Sequence, residues 1–258
     1  MPRPELEGLR ILVTRPAAQA AWLSNEIRQR AGQPIALPLL DIQPLPPDGK
    51  MQSALAELAR ADILIFVSAN AVEYALAYLP LLPDSLRVGA IGQATAERLR
   101  TAGLRVDLVP ARFDSEGFLA LPAIQDLDGK RVVIVRGVGG REKLAESLRS
   151  RGAQVQYLEV YRRACPHWAA TAVHTALGAD VITVTSSEAL DNLAQLARLP
   201  GAEALWAKPL LVFHPRIAGR ARELGFTLKP VVTDRPGDDA LLTALVQWAN
   251  EHKGMEHA

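Results

Sequence analysis

Two pairs of small polar residues, Ser68 with Asn70 and Ser186 with Ser187, each follow a short apolar run and stand where a helix would begin. Serine and asparagine at such positions commonly cap the helix, which is worth about 1 kcal/mol per cap. The same hydroxyl and amide groups can also donate hydrogen bonds to a bound ligand. Capping alone explains each residue taken singly, but the matching placement of the pairs favours a second role in ligand binding.

Basic and glycine-rich turns follow two other apolar runs. Arg15 follows the first run of the chain, and Arg136 with Gly137 opens the turn Arg-Gly-Val-Gly-Gly-Arg-Glu. A dinucleotide fingerprint requires a third glycine where Glu142 stands, so a nicotinamide or flavin cofactor is disfavoured. Backbone N–H groups at a helix N-terminus can instead bind an anion, although an ordinary turn explains the glycines equally well.

A further helix start contains Gly92 and Thr95, and its counterpart later in the chain contains His214 and Arg216. The glycine lets a ligand approach the backbone closely, and the threonine places a hydroxyl in the first helical turn. Arg216 could pair with a ligand carboxylate. All four residues could also serve only as cap and turn residues.

Tyr161 ends an extended apolar segment. A tyrosine has an unperturbed pKa of about 10, so its phenol is protonated at neutral pH and can donate a hydrogen bond. A simple packing role is the alternative. His167 and His174 have no nearby carboxylate or suitably spaced partner, so no metal site is predicted.

The chain contains an internal duplication. Three blocks recur in the same order at a nearly constant offset of about 120 residues, which favours two domain-sized copies of one unit. The paired blocks are 8–15 with 129–136, 61–71 with 179–189, and 96–103 with 218–225.

Within each copy, short apolar strands alternate with helices, and this alternation predicts parallel sheets covered on both faces. The sequence therefore predicts a doubly wound α/β fold, with further strands at 106–109 and 227–232. In this class, ligands bind at the carboxyl ends of the strands. The loops and helix N-termini at that edge are therefore where ligand-binding residues are expected.

Composition limits the other possibilities. The 258 residues are 49% hydrophobic, enough for two compact cores, and the net charge of +1 provides no field that would attract nucleic acid or an anionic membrane. The single cysteine, Cys165, excludes an intramolecular disulfide and favours a cytoplasmic location. No apolar run approaches the roughly 20 residues of a membrane span. Residues 249–258 are polar and are expected to fray.

The motifs together resemble the uroporphyrinogen-III synthase family over nearly the whole chain. The resemblance is carried by Val-Thr-Arg-Pro at 13–16, Val-Ser-Ala-Asn-Ala-Val at 67–72, Ala-Ile-Gly-Gln-Ala-Thr-Ala at 90–96, Val-Arg-Gly at 135–137 and Val-Tyr at 160–161.

The resemblance implies an α/β fold with two doubly wound, flavodoxin-like domains joined by a two-stranded linker. Domain 1 would comprise residues 1–37 and 166–258, and domain 2 residues 47–156. Segments 38–46 and 157–165 would form the linker. Each domain would then combine parts of both copies.

The resemblance also implies that the chain is a lyase without cofactor or metal. It would dehydrate and cyclise hydroxymethylbilane, with inversion of ring D, to uroporphyrinogen III of the haem pathway. The enzyme would act as a cytoplasmic monomer, in transient contact with the preceding pathway enzyme and with no nucleic acid or membrane partner.

The site residues also follow from the resemblance. Tyr161 matches the family tyrosine thought to assist departure of the substrate hydroxyl, and Thr95 matches a helix-start threonine. His214 and Ile217 replace the glycine and threonine that are common in the family, so His214 or Arg216 would supply the polar contact there. The alternative hypothesis is a non-catalytic, two-lobed α/β protein that binds or senses a small molecule.

Overall fold

The computed structural model describes residues 4–140 and 142–255. Its strands are short, as is usual in parallel α/β sheets. In chain order they are β1 (Arg10–Val13), β2 (Gln33–Ala36), β3 (Asp41–Pro44), β4 (Ile63–Phe66), β5 (Arg87–Ala90), β6 (Arg131–Gly137), β7 (Gln154–Ala164), β8 (Val181–Val184), β9 (Leu210–Val212) and β10 (Val231–Val232).

Helices follow most of the strands, as the alternating pattern predicts. They are α1 (Ala17–Gln29), α2 (Gly49–Glu57), α3 (Ala69–Ala75), α4 (Gln93–Thr101), α5 (Ser115–Leu119), α6 (Lys143–Arg149), α7 (Ala170–Leu177), α8 (Ser187–Ala197), α9 (Pro215–Leu224) and α10 (Asp238–Met255). Short 3₁₀ turns occur at Leu58–Arg60, Pro122–Ile124 and Glu203–Ala207.

The chain divides into two compact units. Unit 1 comprises residues 1–41 and 164–258, and unit 2 comprises residues 42–163. Among the described residues, the unit 1 sheet has the strand order β10-β9-β8-β1-β2, and the second sheet has the order β3-β7-β6-β4-β5. The resolved pairings β1 with β2 and β8, β8 with β9, and β6 with β4 and β7 are parallel.

Each sheet is covered on both faces. In unit 1, Leu12 packs with the helices α7, α8 and α9, while its neighbours Ile11 and Val13 pack with α1 and α10. In unit 2, Leu64 and Phe66 pack with α2, α3 and α4, and the opposite face packs with α5 and α6. The central strands β4 and β8 are buried along their whole length because both faces are covered.

The pairing registers of the two sheets repeat at the offsets of the sequence blocks. Ile11 pairs with Val181 in unit 1, and Val132 pairs with Ile63 at the equivalent position of unit 2. The same holds for the outer pair, because Arg10 lies opposite Gln33 and Arg131 lies opposite Gln154. Each sheet therefore contains strands from both copies, as the duplicated sequence and the resemblance imply.

The segments expected to connect the domains contain β3 and the second half of β7. These strands are neighbours at the edge of the second sheet, where the Leu45 N–H donates to the Val160 carbonyl over 3.0 Å. The Arg162 Nε donates to the Gln43 side chain over 3.0 Å. That 38–46 and 157–165 act as a linker stays a prediction.

Three expectations about secondary structure were wrong in whole or in part. The strand expected at 227–232 is limited to β10 at Val231–Val232. Segment 106–109 does not form a strand, and its only β contact in the described residues is a single parallel bridge between Gly89 and Leu108. Residues 249–255 do not fray but continue α10, because Trp248 and Ala249 are buried against α1, and the His252 ring packs on Trp248. His257 lies outside the described residues.

The glycines that follow two of the helices agree with the sequence. Gly103 and Gly225 follow their helices with φ of +76° and +102°, the left-handed conformation expected there. Within the described ranges, no helix combines the length and the apolar character needed to cross a bilayer.

Candidate functional site

A pocket of about 490 Å³ lies at the carboxyl ends of β4, β6 and β7 in unit 2. It is lined by Val67, Ser68, Ile91, Asp114, Ser115, Glu116, Ile134, Arg136, Gly137, Gly140, Lys143, Leu144, Tyr157, Tyr161 and Arg163. The position agrees with the rule that ligands of open α/β sheets bind beyond the carboxyl ends of the strands.

The pocket lies where the order of the sheet reverses. The chain runs outward from β4 to β5 on one side and from β6 to β7 on the other, while β4 and β6 are themselves paired. Loops that leave two such strands diverge and leave a crevice between them. Ser68 follows β4 and Gly137 ends β6, so two of the predicted residues lie at this crevice.

A β-bulge sets the direction of Tyr161. Arg136 lies opposite Glu159, but the next residue, Gly137, lies opposite Tyr161, so Val160 is extra on β7. Val160 and Tyr161 consequently pack in the same cluster with α3, although neighbours on a regular strand point to opposite faces. The bulge brings the tyrosine to the wall of the pocket.

The phenol of Tyr161 is held between a serine and a glycine. Its hydroxyl lies 3.3 Å from the Ser68 Oγ, which accepts a hydrogen bond from the Ala71 N–H and so caps α3. Its ring lies so close to Gly137 that an added Cβ would be 2.5 Å from the ring carbon Cε2. Although only 2% of Tyr161 is exposed, the residue is part of the pocket lining, next to Ser68.

Arg136 is a nearly buried cation in the same wall, with 7% of the residue exposed. Its Nε and Nη2 donate to one oxygen of Glu159 over 3.1 and 3.0 Å, and its Nη1 donates to Glu142 over 2.9 Å. The guanidinium carbon lies 3.6 Å from the centroid of the Tyr157 ring. Arg136 is thus brought to the pocket, but two carboxylates of the chain already neutralise it.

The ionisation of this cluster is perturbed consistently with these contacts. Hydrogen bonds from the Tyr157 hydroxyl and then from Arg136 lower the pKa of Glu142. Burial, and then the bond to Glu142, raises the pKa of Tyr157. Burial alone would lower the pKa of Arg136, but its hydrogen bonds to Glu142 and Glu159 outweigh that effect and raise it. All three groups keep their usual charges at neutral pH.

The opposite rim of the pocket was not found from the sequence. It consists of Asp114, Ser115 and Glu116 at the start of α5, with Lys143 from α6, whose Nζ donates to Glu116 over 2.6 Å. Asp114 caps α5 by accepting the Gly117 N–H over 2.7 Å. The sequence signal for this helix start is Asp-Ser-Glu-Gly at 114–117, in which an aspartate and not a serine is the N-cap residue.

Three other candidates of unit 2 do not line the pocket. Gly92 is the N-cap residue of α4, and Thr95 lies in the first turn of that helix with only 4% of its surface exposed. Asn70 lies in the first turn of α3. Their positions beyond β5 and β4 agree with the expected edge of the sheet, and their binding role stays a prediction.

The remaining candidates lie in unit 1, beyond β1, β8 and β9. Arg15 is paired with Asp238 and donates to Gln19 over 3.0 Å. Ser186 caps α8 by accepting the Ala189 N–H, while the Ser187 Oγ is buried and has no hydrogen-bond partner among the described residues.

His214 caps α9 through its Nδ1, which accepts the N–H of the exposed Arg216 over 3.1 Å. This confirms a capping role for His214, whereas a ligand role for either residue stays a prediction. In the part of the chain that the structure describes, no group of three or more His, Cys, Asp or Glu side chains could hold a metal ion.

Comparison with known proteins places these features in a family. The family model described as uroporphyrinogen-III synthase HemD matches residues 22–243. The uroporphyrinogen-III synthase of Escherichia coli is 37% identical over 248 residues, covering 91% of this chain and 99% of that protein.

Solved structures agree at the level of the fold. Uroporphyrinogen III synthase of Thermus thermophilus superposes with a TM-score of 0.60 at 20% identity, covering 95% of this chain and 100% of that one. The enzyme from Helicobacter pylori superposes with a TM-score of 0.63 at 16% identity, covering 93% and 99%. The α/β fold with two mainly parallel sheets is therefore that of these structures.

Proposed function

The chain belongs to the uroporphyrinogen-III synthase family, and we propose that the pocket of unit 2 is where its substrate, hydroxymethylbilane, undergoes loss of the terminal hydroxyl. The activity of the family is the cyclisation of that linear tetrapyrrole to uroporphyrinogen III in haem biosynthesis. The alternative hypothesis, a binding or sensing protein without catalysis, is not supported, because the match to the enzyme family spans residues 22–243.

The observation that carries the proposal is the position of Tyr161. Its hydroxyl lies beside Ser68 in the wall of a pocket at the carboxyl edge of the sheet, and its ring is fixed by Gly137. A protonated phenol in this place can donate a hydrogen bond to the departing hydroxyl, which leaves with a proton as water. The pyrrole that carried the hydroxyl loses its N–H proton in the same dehydration and becomes an electrophilic azafulvene, so hydroxyl and proton together leave as water.

Positioning then decides which product forms. The substituted carbon of ring D attacks the azafulvene to give a spiro intermediate, which fragments and recombines into the type III macrocycle. Because the bilane also closes without inversion in the absence of enzyme, the chain's main contribution is to hold the reacting carbons in the required geometry. The helix N-termini at Ser68 with Asn70 and at Gly92 with Thr95, and the strand end at Gly137, offer donors for the substrate carboxylates.

The polar candidates of unit 1 extend the proposal. We propose that Arg15, Ser186, Ser187, His214 and Arg216 bind substrate carboxylates from that unit. The placement of these residues beyond β1, β8 and β9 supports the proposal, since this is the edge where α/β sheets bind ligands.

The domain boundaries and the setting of the protein are also proposals. We propose that domain 1 comprises 1–37 and 166–258, that domain 2 comprises 47–156, and that segments 38–46 and 157–165 form a two-stranded linker between them. We also propose that the protein is a monomer and that it lies in the cytoplasm, and the single cysteine, Cys165, supports the cytoplasmic location.

The product isomer tests the proposed function. Purified protein is mixed with freshly generated hydroxymethylbilane, and the oxidised porphyrins are separated into type I and type III isomers. We expect predominantly type III product, against type I alone in a control with heat-denatured protein. Type I product alone from the native protein would contradict the proposal.

A further inference from the structure

Arg136, Glu142 and Glu159 form a cluster, called here the Arg136 cluster, in which two carboxylates bind one cation. Glu142 and Glu159 both bind the guanidinium, so the group carries a net charge of −1. Glu142 and Glu159 are not lining residues of the pocket. Asp114 and Glu116 are, and their charges cancel those of Lys143 and Arg163, so the region around Arg136 keeps a net charge of −1. A region of this charge would repel a ligand with many carboxylates unless one internal carboxylate left the cation.

The two carboxylates are held differently. Glu159 lies directly opposite Arg136 in the paired strands β6 and β7, so the sheet itself fixes its position. Glu142 lies outside the sheet, after the turn that contains Gly139 and Gly140, and 48% of its side chain is exposed. Glu142 is therefore the more easily displaced of the two, because it accepts one hydrogen bond from the guanidinium, whereas Glu159 accepts two and is less exposed.

Tyr157 gives Glu142 a second partner. The tyrosine hydroxyl donates to one oxygen of Glu142, while the other oxygen accepts from the Arg136 Nη1 over 2.9 Å. The Tyr157 ring lies under the guanidinium, so it supports the cation whichever carboxylate is bound. A Glu142 side chain that left Arg136 would reach solvent readily.

From this geometry we infer that Glu142 occupies the place of a substrate carboxylate on Arg136 and is displaced when the substrate binds. The exchange costs little, because the nearly buried cation is never left without a partner, which would be strongly destabilising. Glu142 is thus a positioning residue that keeps Arg136 aligned for an acidic ligand and competes with that ligand. The inference rests on the proposed function, since it takes the polycarboxylate substrate of the family as the ligand.

The duplicated half of the chain shows the same arrangement. Arg15 occupies the position in unit 1 that Arg136 occupies in unit 2, and it too is paired with a carboxylate, Asp238. That carboxylate belongs to the first residue of α10, far from Arg15 along the chain, whereas Glu142 stands only six residues after Arg136, at the start of α6. An arginine held by an internal carboxylate therefore recurs at equivalent positions although the sources of the carboxylate differ.

Steady-state kinetics of Glu142→Gln tests the inference. The amide keeps the size of the side chain and removes the competing charge, so we expect KM for hydroxymethylbilane to fall by about threefold to tenfold with no rise in kcat. The matched control is Glu146→Gln, one turn further along α6 and exposed, whose KM should equal that of the wild type. A purely structural role of Glu142 would instead raise KM or lower kcat.

Two further variants separate competition from a general charge effect. In an Arg136→Met background, Glu142→Gln should no longer change KM, because its effect passes through the guanidinium. Tyr157→Phe removes the hydrogen bond that helps to retain Glu142, so it should lower KM in the same direction by a smaller factor. This second arm keeps the test decisive if Arg136→Met does not fold.

The inference is overturned if Glu142→Gln leaves KM unchanged or raises it, or if Glu146→Gln lowers KM equally. The type III product of the wild-type protein is measured first. If the wild-type protein forms no type III product, the proposed function itself is contradicted. If type III product forms but KM is unchanged in Glu142→Gln, only the displacement of Glu142 by a substrate carboxylate is contradicted.

Discussion

The catalytic proposal depends on how one side chain is held. Tyr161 is the last tyrosine of β7, and a bulge at Val160 directs its ring towards α3 and the pocket wall. Gly137 provides the space for that ring, because any Cβ there would lie within 2.6 Å of two ring carbons. The 3.3 Å separation from Ser68 is long for a hydroxyl hydrogen bond, so the phenol remains able to donate to a ligand.

For Tyr161→Phe we expect kcat to fall about 100-fold, because the donor to the departing hydroxyl is lost. The melting temperature should change little, since the long contact with Ser68 contributes little to stability. Steady-state turnover of hydroxymethylbilane and thermal unfolding measure the two effects.

Tyr74→Phe is the control for that variant. Its ring lies 5.8 Å from the Tyr161 ring, but its hydroxyl donates to the Ile42 carbonyl over 2.8 Å, so turnover should stay near that of the wild type. Unchanged turnover in Tyr161→Phe would remove this tyrosine from the mechanism.

At the scale of elements, the two sheets reuse the same local devices. Asp180 accepts the Arg10 N–H over 2.7 Å in unit 1, and Asp62 accepts the Arg131 N–H over 2.8 Å at the equivalent place in unit 2. The serine caps of α3 and α8 are likewise equivalent. These aspartates bind the first residue of a central strand and so help to align it with its neighbour.

Asp62 also makes the stability of unit 2 depend on pH. The Arg131 N–H and then the Lys130 ammonium outweigh burial and lower the Asp62 pKa below 3.8. A carboxyl with a depressed folded-state pKa stabilises the fold above its unfolded pKa, and this contribution is lost as the pH falls through the lower folded value.

We therefore expect Asp62→Asn to lower the free energy of unfolding by about 1 kcal/mol at pH 7. The difference in unfolding free energy between the wild type and the variant should become smaller below about pH 4, because Asp62 is then increasingly protonated in the wild type. Urea denaturation at a series of pH values measures it. Asp84→Asn is the control, because that carboxylate is fully exposed and lies 4.0 Å from its Arg105 partner. A difference that stays constant between pH 3 and 7 would contradict the assignment.

At the scale of the whole molecule, unit 2 is continuous in sequence and unit 1 is not. Nearly all of the second sheet lies within residues 42–163, with both of the clusters that cover it. Unit 1 needs β1 and β2 from the start of the chain together with β8, β9 and β10 from its end. Only unit 2 can be produced as an uninterrupted fragment.

We expect a fragment of residues 42–163 to fold alone and to unfold cooperatively, because its strands keep their partners. The matched control is the shorter fragment 47–156, which lacks β3 and the buried residues Leu158, Val160 and Tyr161. Each lost side chain is worth about 1.5–3 kcal/mol of burial, so this fragment should be much less stable. Circular dichroism during heating compares the two, and equal stability would contradict a contribution of segments 42–46 and 157–163 to the stability of unit 2.

The sequence by itself determined the elements and their duplication. The buried runs of β4 and β8 follow from continuous apolar residues, the capping of α3 and α8 from Ser68 and Ser186, and the matching registers from the repeated blocks. These features are local, or they repeat locally, so the order of residues along the chain is sufficient to predict them.

Only the tertiary structure decided how the site is assembled. The bulge at Val160 reverses the face to which Tyr161 would point on a regular strand, and it exists only in the pairing of β6 with β7. The neutralisation of Arg136 likewise requires Glu142 and Glu159 to meet from separate segments. A contact between distant residues depends on the register and packing of whole elements, and no pattern within a single segment encodes it.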